Sequence, residues 1–472
     1  MMSIGRWLVL GWMVAGLQVL SAAQNPAPQP DTPTQNSGDD SPRTVPAAPL
    51  SAIAGMQTEG GAEDTGGNLP QIPAVVGGSG ISSTFEGSNY LRGGVNVGVA
   101  YDNNPLLLSN AATSITNVSI FPNIGIEESS SRMHWSLRYA GGLTINQGFS
   151  NQNQDSQNLN FDSQYRLSPH VNLRVAENFS MTTGFFDAGN GPEVVAGSGG
   201  PNASLLAPLS TQRSSVTTVE MNYHFALNDL IGASGSFYDL HFANVPAGTQ
   251  LTDSETASGR AFWLHRLFGA DWGGVDYGFD RLTFNPGGET RVHSFFAMDT
   301  LNISKRLTVN GYIGPQYTEN QGLSPVNRRL TQSSNWSLAG GVQGGWKNQR
   351  TSVSAGYSRG ISDGAGVLGS TLLETVQANF RRQLTPGWAA TLSASHGTNQ
   401  SITVPFASTA NSVNLTSAGI LVERNVGKSI GLRMGYSHDF QEQVPGSGQT
   451  LDAHRNEVFM TLSYKWAKPL GM

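Results

Sequence analysis

From Tyr90 onward the chain is written in segments of about ten to sixteen residues with apolar side chains at every second position, the period of a strand whose two faces meet different surroundings. The longest case is SSNWSLAGGVQGGWKN, where Trp336, Leu338, Gly340, Val342, Gly344 and Trp346 share one face and Ser337, Gln343 and Lys347 the other. In RMHWSLRYAGGLTIN, Met133, Trp135, Leu137, Tyr139, Leu143 and Ile145 oppose His134, Ser136, Arg138 and Thr144. NLNFDSQYRL and KSIGLRMGYSHDF repeat the pattern. The count is about eighteen segments. They begin near Tyr90, Thr113, Arg132, Asp155, Val171, Arg213, Ile231, Thr252, Trp272, Glu289, Arg306, Gln332, Thr351, Leu368, Gly387, Thr409, Lys428 and Asp452. Ala257 to Leu267 and Val292 to Ile303 carry apolar residues at both parities, so the lower bound is about sixteen strands.

Alternation alone also suits a soluble β-sandwich, with its apolar face turned inward. Three further features favour a barrel in a membrane. Connections alternate between tight ones, such as Ser168-Pro169-His170, Asn228-Asp229, Asn348-Gln349, Thr385-Pro386-Gly387 and Gly427-Lys428, and mostly longer ones rich in Asn, Gly, Pro and Ser. Short turns at one end and long loops at the other are what a barrel exposed on one side only requires. Aromatic residues gather near the short-turn ends, where amphipathic rings sit at a bilayer interface; Trp135, Tyr165, Trp272, Trp346, Trp388 and Trp466 are expected there. The other face is small and hydrophilic, and in lipid no sheet edge can stay open, so closure is obligatory. The expected fold is therefore all-β: a transmembrane antiparallel up-and-down β-barrel of about eighteen strands (sixteen as the lower bound), over residues 86–472, with both termini periplasmic.

The N-terminus has the layout of a cleavable secretory signal over residues 1–23: Arg6, an apolar run from Trp7 to Leu20, and Ser21-Ala22-Ala23 as the cleavage site. Residues 24–85 hold nine of the 23 prolines and few aromatics, too little apolar surface to order a chain, so a disordered periplasmic leader is expected. There is no cysteine, which excludes disulfides, a thiolate metal site and anchoring through an N-terminal Cys. Hydrophobic residues are 38%, charged residues 13% and glycines number 57, a balance unlike a charged soluble surface or a bundle of apolar helices. A net charge of −6 without basic runs excludes nucleic acid as a partner.

On these grounds the chain resembles bacterial outer-membrane β-barrel proteins of the porin-like kind, over about Tyr90 to Trp466. The resemblance is one of architecture. It implies recognition by the barrel assembly machinery, which reads a final strand ending in an aromatic residue; here Val458, Met460, Leu462, Tyr464 and Trp466 alternate in NEVFMTLSYKW. The chain departs from that pattern by running on from Ala467 to Met472.

A barrel this wide leaves an aqueous channel unless something plugs it. The expected lumen-lining charges are Arg92, Arg138, Asp162, Arg166, Arg174, Glu220, Asp276, Asp280, Lys347, Arg381, Arg433 and Asp439, with Arg260, Arg266 and Lys465 beside them, a modestly basic wall favouring neutral or anionic solutes, unless several of the cations snorkel at the rims or pair with acids. Any constriction must come from an inward-folded loop, for which Gly184 to Gln212 is the best candidate, an exposed surface loop being the equal alternative for that segment. Ser395 to Asn399 invites comparison with a Ser-His-Asn hydrolase, but His396 and Asn399 fall on opposite faces of a strand, and no catalytic, metal or cofactor site is expected. Gly340-Gly341 and Gly344-Gly345 are read as aids to curvature. The expected function is a channel for small polar solutes or an exported polymer such as polysaccharide; the alternatives are a surface-interaction barrel whose long loops bind partners, and a secreted soluble β protein. Oligomerisation, the solute and the direction of passage stay open.

Overall fold

The computed structural model describes residues 89–104, 114–147, 153–184, 210–244, 251–267, 271–285, 287–304, 306–323, 330–364, 368–402, 410–445 and 451–470. The segments read as signal and leader, and residues 185–209 of the expected inward loop, lie outside them.

Eighteen strands follow one another: β1 (Tyr90–Asp102), β2 (Ile115–Ser129), β3 (Met133–Gln147), β4 (Gln154–Arg166), β5 (Val171–Gly184), β6 (Ser210–Ala226), β7 (Asp229–Ala243), β8 (Asp253–Arg266), β9 (Trp272–Asn285), β10 (Gly288–Ser304), β11 (Leu307–Leu323), β12 (Leu330–Lys347), β13 (Thr351–Ser362), β14 (Thr371–Thr385), β15 (Trp388–Ser401), β16 (Ala410–Val426), β17 (Ile430–Pro445) and β18 (Leu451–Pro469). Each pairs antiparallel with its neighbours in sequence, and β1 closes on β18 from Tyr90↔Pro469 to Asp102↔Glu457. The result is a closed antiparallel barrel.

Register fixes which side chains face in. Paired residues share a face, so the odd residues of β1 align with the even residues of β18. One face is large, apolar and exposed: Val97, Val99, Tyr101, Leu462, Tyr464 and Trp466 are among its members. The other holds Arg92, Asn96, Asp102, Thr461 and Ser463, all buried. A globular protein in water does the reverse, since leaving a Val, Leu or Phe in water forgoes about 1.5–3 kcal/mol. An apolar band wrapped around a closed sheet is a surface for lipid. The strands are 12 to 19 residues long, whereas a tilted strand needs about 9–11 to cross a bilayer, so the wall rises past the apolar band.

At one rim the turns are tight. Ser130 donates its N–H to the Met133 carbonyl at 2.7 Å, and the turn after β16 places Gly427 at φ +67°, a left-handed conformation glycine adopts without a Cβ penalty. The chain ends of the barrel meet at this same rim, with Leu470 N–H donating to the Asn89 carbonyl at 2.8 Å. The connections at the opposite rim are longer, apart from residues 286–287 between β9 and β10, where Gly287 sits at φ +64°. The expectation of eighteen strands holds, with starts within a few residues of those read from the sequence.

The two segments with apolar residues at both parities are β8 and β10, and the structure explains them. Phe262, Leu264, Phe296 and Met298 point inward and form a cluster with Leu230 and Ala339, backed by Trp272 and Tyr312. The inner wall from β7 to β12 is thus partly apolar. Trp272 is a correction: it was expected at the bilayer interface but packs on this inner cluster. Position near a strand end located it along the barrel axis, and parity, which pairs it with Arg266 and Thr300, sends it inward.

Candidate functional site in the lumen

Every charged residue expected in the lumen has inward parity, and the register brings most of them into ion pairs. Arg260 on β8 lies 3.2 Å from Asp276 and 3.5 Å from Asp280, both on β9, with side chains 6%, 0% and 15% exposed. Asp162 and Arg174 meet at 2.7 Å between β4 and β5. Glu423 on β16 bridges Arg381 on β14, at 2.6 Å, and Arg433 on β17, at 3.0 Å. Arg92 reaches Glu127 at 3.3 Å. Asp439 joins a cluster around Arg455, which lies 3.6 Å from Asp439, 2.7 Å from Asp102 and 3.0 Å from Glu457. Glu220 accepts from Asn222 Nδ2 at 2.6 Å. Arg138 extends over Gly125, while Arg166 and Lys347 stand at the short-turn rim.

Sequence reasoning missed Asp102, Glu127, Glu423, Arg455 and Glu457. Asp102 and Glu127 stand at the ends of β1 and β2, and parity counted from Val99 or Ile124 turns both inward. These additions are mostly acidic, so the wall is closer to neutral than the modestly basic surface expected. Paired in this way, the charges cancel at a distance and act on a solute only within a few ångströms.

Glycine sets how far the wall intrudes. A Cβ on Gly232 would lie 2.0 Å from Phe262 Cζ, one on Gly341 2.7 Å from the Tyr312 ring, and one on Gly435 2.4 Å from the Phe459 ring. Large inward side chains therefore lie sideways across glycines of the adjacent strand instead of projecting toward the axis. Trp466 covers Gly93 in the same way on the outer face.

One connection narrows the long-loop end. β13 pairs with β14 throughout but leaves β12 after Arg359. Beyond it Ile361 packs on Leu282, Phe284 and Val292 of the inner wall. Ser254 Oγ of β8 donates to Asp363 Oδ2 at 3.0 Å, and Ser370 Oγ donates to Thr290 Oγ1 of β10 at 2.6 Å. Asn320 Nδ2 of β11 is 3.5 Å from the Ile402 carbonyl after β15. The described ends of the β13–β14 connection, at Asp363 and Ser370, thus reach inward onto β8–β10. Gly364 and Gly369 make the reversal at φ +64° and +67°. This is not the segment expected to fold inward, 184–212, most of which is not described.

His396 faces outward, 2.8 Å from Thr416 Oγ1, and Asn399 faces inward, fully buried, so the two cannot act on one substrate. Among the described residues no group of three or more His, Asp or Glu is arranged to hold a metal ion.

No family model matches the chain, and no curated protein matches it. Solved structures similar in fold include OccK2 (OpdF) of Pseudomonas aeruginosa, with 8% identity, TM-score 0.41, and coverage of 80% of this chain and 98% of that one. The outer-membrane protein OpdK of the same organism matches at 9% identity and TM-score 0.39, covering 80% and 99%. The ferric-catecholate import receptor Fiu of E. coli matches at 9% identity and TM-score 0.42, covering 81% and 82%.

Proposed function

We propose that the chain is an outer-membrane channel for small polar solutes, its lumen lined by the residues placed inward above. The observation that carries this reading is the reversal of polarity across the wall: an exposed apolar exterior around an interior of paired charges and hydrogen-bonding side chains. Such an interior is of use to a solute that must shed part of its water, because fixed polar groups replace the lost hydration. A narrowed long-loop end favours small solutes over a polymer such as polysaccharide.

In this reading the short-turn rim and both termini face the periplasm, residues 1–23 are removed on export, and residues 24–85 remain as a periplasmic leader. The outer-membrane lipid and the barrel assembly machinery are the partners. Catalysis has no place in it. Reconstitution into planar bilayers tests the proposal: stepwise conductance and sugar-driven liposome swelling are expected, and folded protein giving neither would overturn it. The second reading, a surface barrel whose long loops bind partners, predicts that shortening those loops abolishes adhesion while conductance stays intact.

A further inference from the structure

The cations left over once the lumen pairs are made stand at one end of the barrel. Arg132, Arg306, Arg350 and Lys428 lie in the short turns after β2, β10, β12 and β16, with Arg166 and Lys468 at the same rim on β4 and β18. All six are exposed, and none has an acidic partner among the described residues. The acids nearby are already engaged: Glu127 with Arg92, Glu423 with Arg381 and Arg433, Asp229 with His265, and Asp271 with the Asn302 N–H. At the long-loop rim the sign is reversed, since Asp155, Glu255 and Glu319 there lack a basic partner among the described residues.

The chain supplies an acidic partner at the basic rim. β1 starts there, beside the bond from the Leu470 N–H to the Asn89 carbonyl, so the sequence before Tyr90 leaves the barrel at this end. No Lys or Arg occurs between Arg43 and Arg92, whereas Glu59, Glu63, Asp64 and Glu86 do. Three of these acids fall within Glu59-Gly60-Gly61-Ala62-Glu63-Asp64. The stretch from Asp64 to Asn89 spans at most roughly 85 Å when extended. Strands about 4.8 Å apart, closed into this barrel, enclose a mouth on the order of 30 Å across, so every short turn is within reach.

We propose that residues 59–64 dock on the basic short-turn rim of their own barrel, which lays the segment preceding β1 across the lumen mouth. Single exposed ion pairs are weak and screened by salt. A segment on the same chain is nevertheless present at an effective concentration on the order of millimolar, and cations spread around the rim offer it several contacts. Lipid headgroups are the competing occupant; turn residues project past the wall and away from the bilayer, which favours the segment. Only the effect of docking on passage rests on the channel reading.

The chain has no cysteine, so introduced thiols report position without background. Ala62→Cys is combined in turn with Ser131→Cys, Gln349→Cys and Thr385→Cys, each in or beside a short turn. Full-length protein in phosphatidylcholine vesicles is treated with a short bis-maleimide, and heat-modifiable migration reports folding. At least one pair is expected to cross-link within the chain at about 50 mM KCl, with the yield falling about fivefold or more at about 1 M KCl. The same fall is expected at low salt when Glu59→Gln, Glu63→Gln and Asp64→Asn are combined. No cross-link at any of the three positions, or a yield indifferent to salt and to the neutral variant, overturns the proposal. So does a cross-link that is lost when phosphatidylglycerol replaces phosphatidylcholine, which would assign the rim cations to lipid headgroups. Salt-sensitive cross-links in a protein that gives no conductance support docking and count against the channel alone.

Discussion

At the scale of single residues, the lumen wall is decided by what stands beside each glycine. A Cβ on the inward-facing Gly274 would fall 2.1 Å from the Trp263 carbonyl oxygen and 2.9 Å from Leu264 Cα, both backbone atoms, whereas one on Gly259, on the outer face, would meet nothing. Gly274→Ala is therefore expected to destabilise the barrel by about 1–3 kcal/mol, the usual cost of overpacking, and Gly259→Ala to be near neutral; urea unfolding followed by tryptophan fluorescence checks both. Arg260 sits between two aspartates at almost no exposure. Removing it alone leaves buried carboxylates uncompensated, so Arg260→Ala should cost about 3 kcal/mol. Replacing Arg260, Asp276 and Asp280 together by apolar residues of similar volume should recover most of that loss. If the triple variant is as unstable as the single one, the ion pairs are not the source of the effect.

The inward-reaching β13–β14 connection dominates the element scale. Replacing Asp363 and Ser370 by Ala removes the bonds that hold this connection against Ser254 and Thr290, and single-channel conductance should rise severalfold. Unchanged conductance would show that the constriction lies elsewhere. The strands and tight turns were legible in the sequence because period two and turn chemistry are local signals. The Ser254–Asp363 bond joins residues 109 apart, and the early end of the β12–β13 ladder depends on where the hairpin goes, so no local pattern announces either. Trp272 was misassigned for a related reason: distance from a turn gives height, and only parity, blurred in this part of the wall by Phe262, Leu264, Phe296 and Met298, gives the face. The lumen charges were legible by parity, but their partners were not, since Arg455 finds Asp102 only when the last strand meets the first.

For the whole molecule, opposite charges matched around the wall imply weak discrimination between small ions. Reversal potentials across a tenfold KCl gradient should give a cation-to-anion permeability ratio within about threefold of unity, and strong selectivity of either sign would mean that residues beyond the paired set govern passage. Ending the chain before Leu451 removes β18 and with it closure; such a protein should lose heat-modifiable migration and become extractable by urea. The ladder from Tyr90↔Pro469 to Asp102↔Glu457 also carries a kinetic consequence. It joins the most distant parts of the barrel sequence, so it has the largest loop-closure entropy of any pairing and is the last that a stepwise assembly can complete. Until then β1 keeps an open edge, a template for joining other chains. The slow phase of folding should therefore scale with the time this edge must be shielded, and a chaperone or template that occupies β1 should accelerate productive insertion more than one that binds any interior strand.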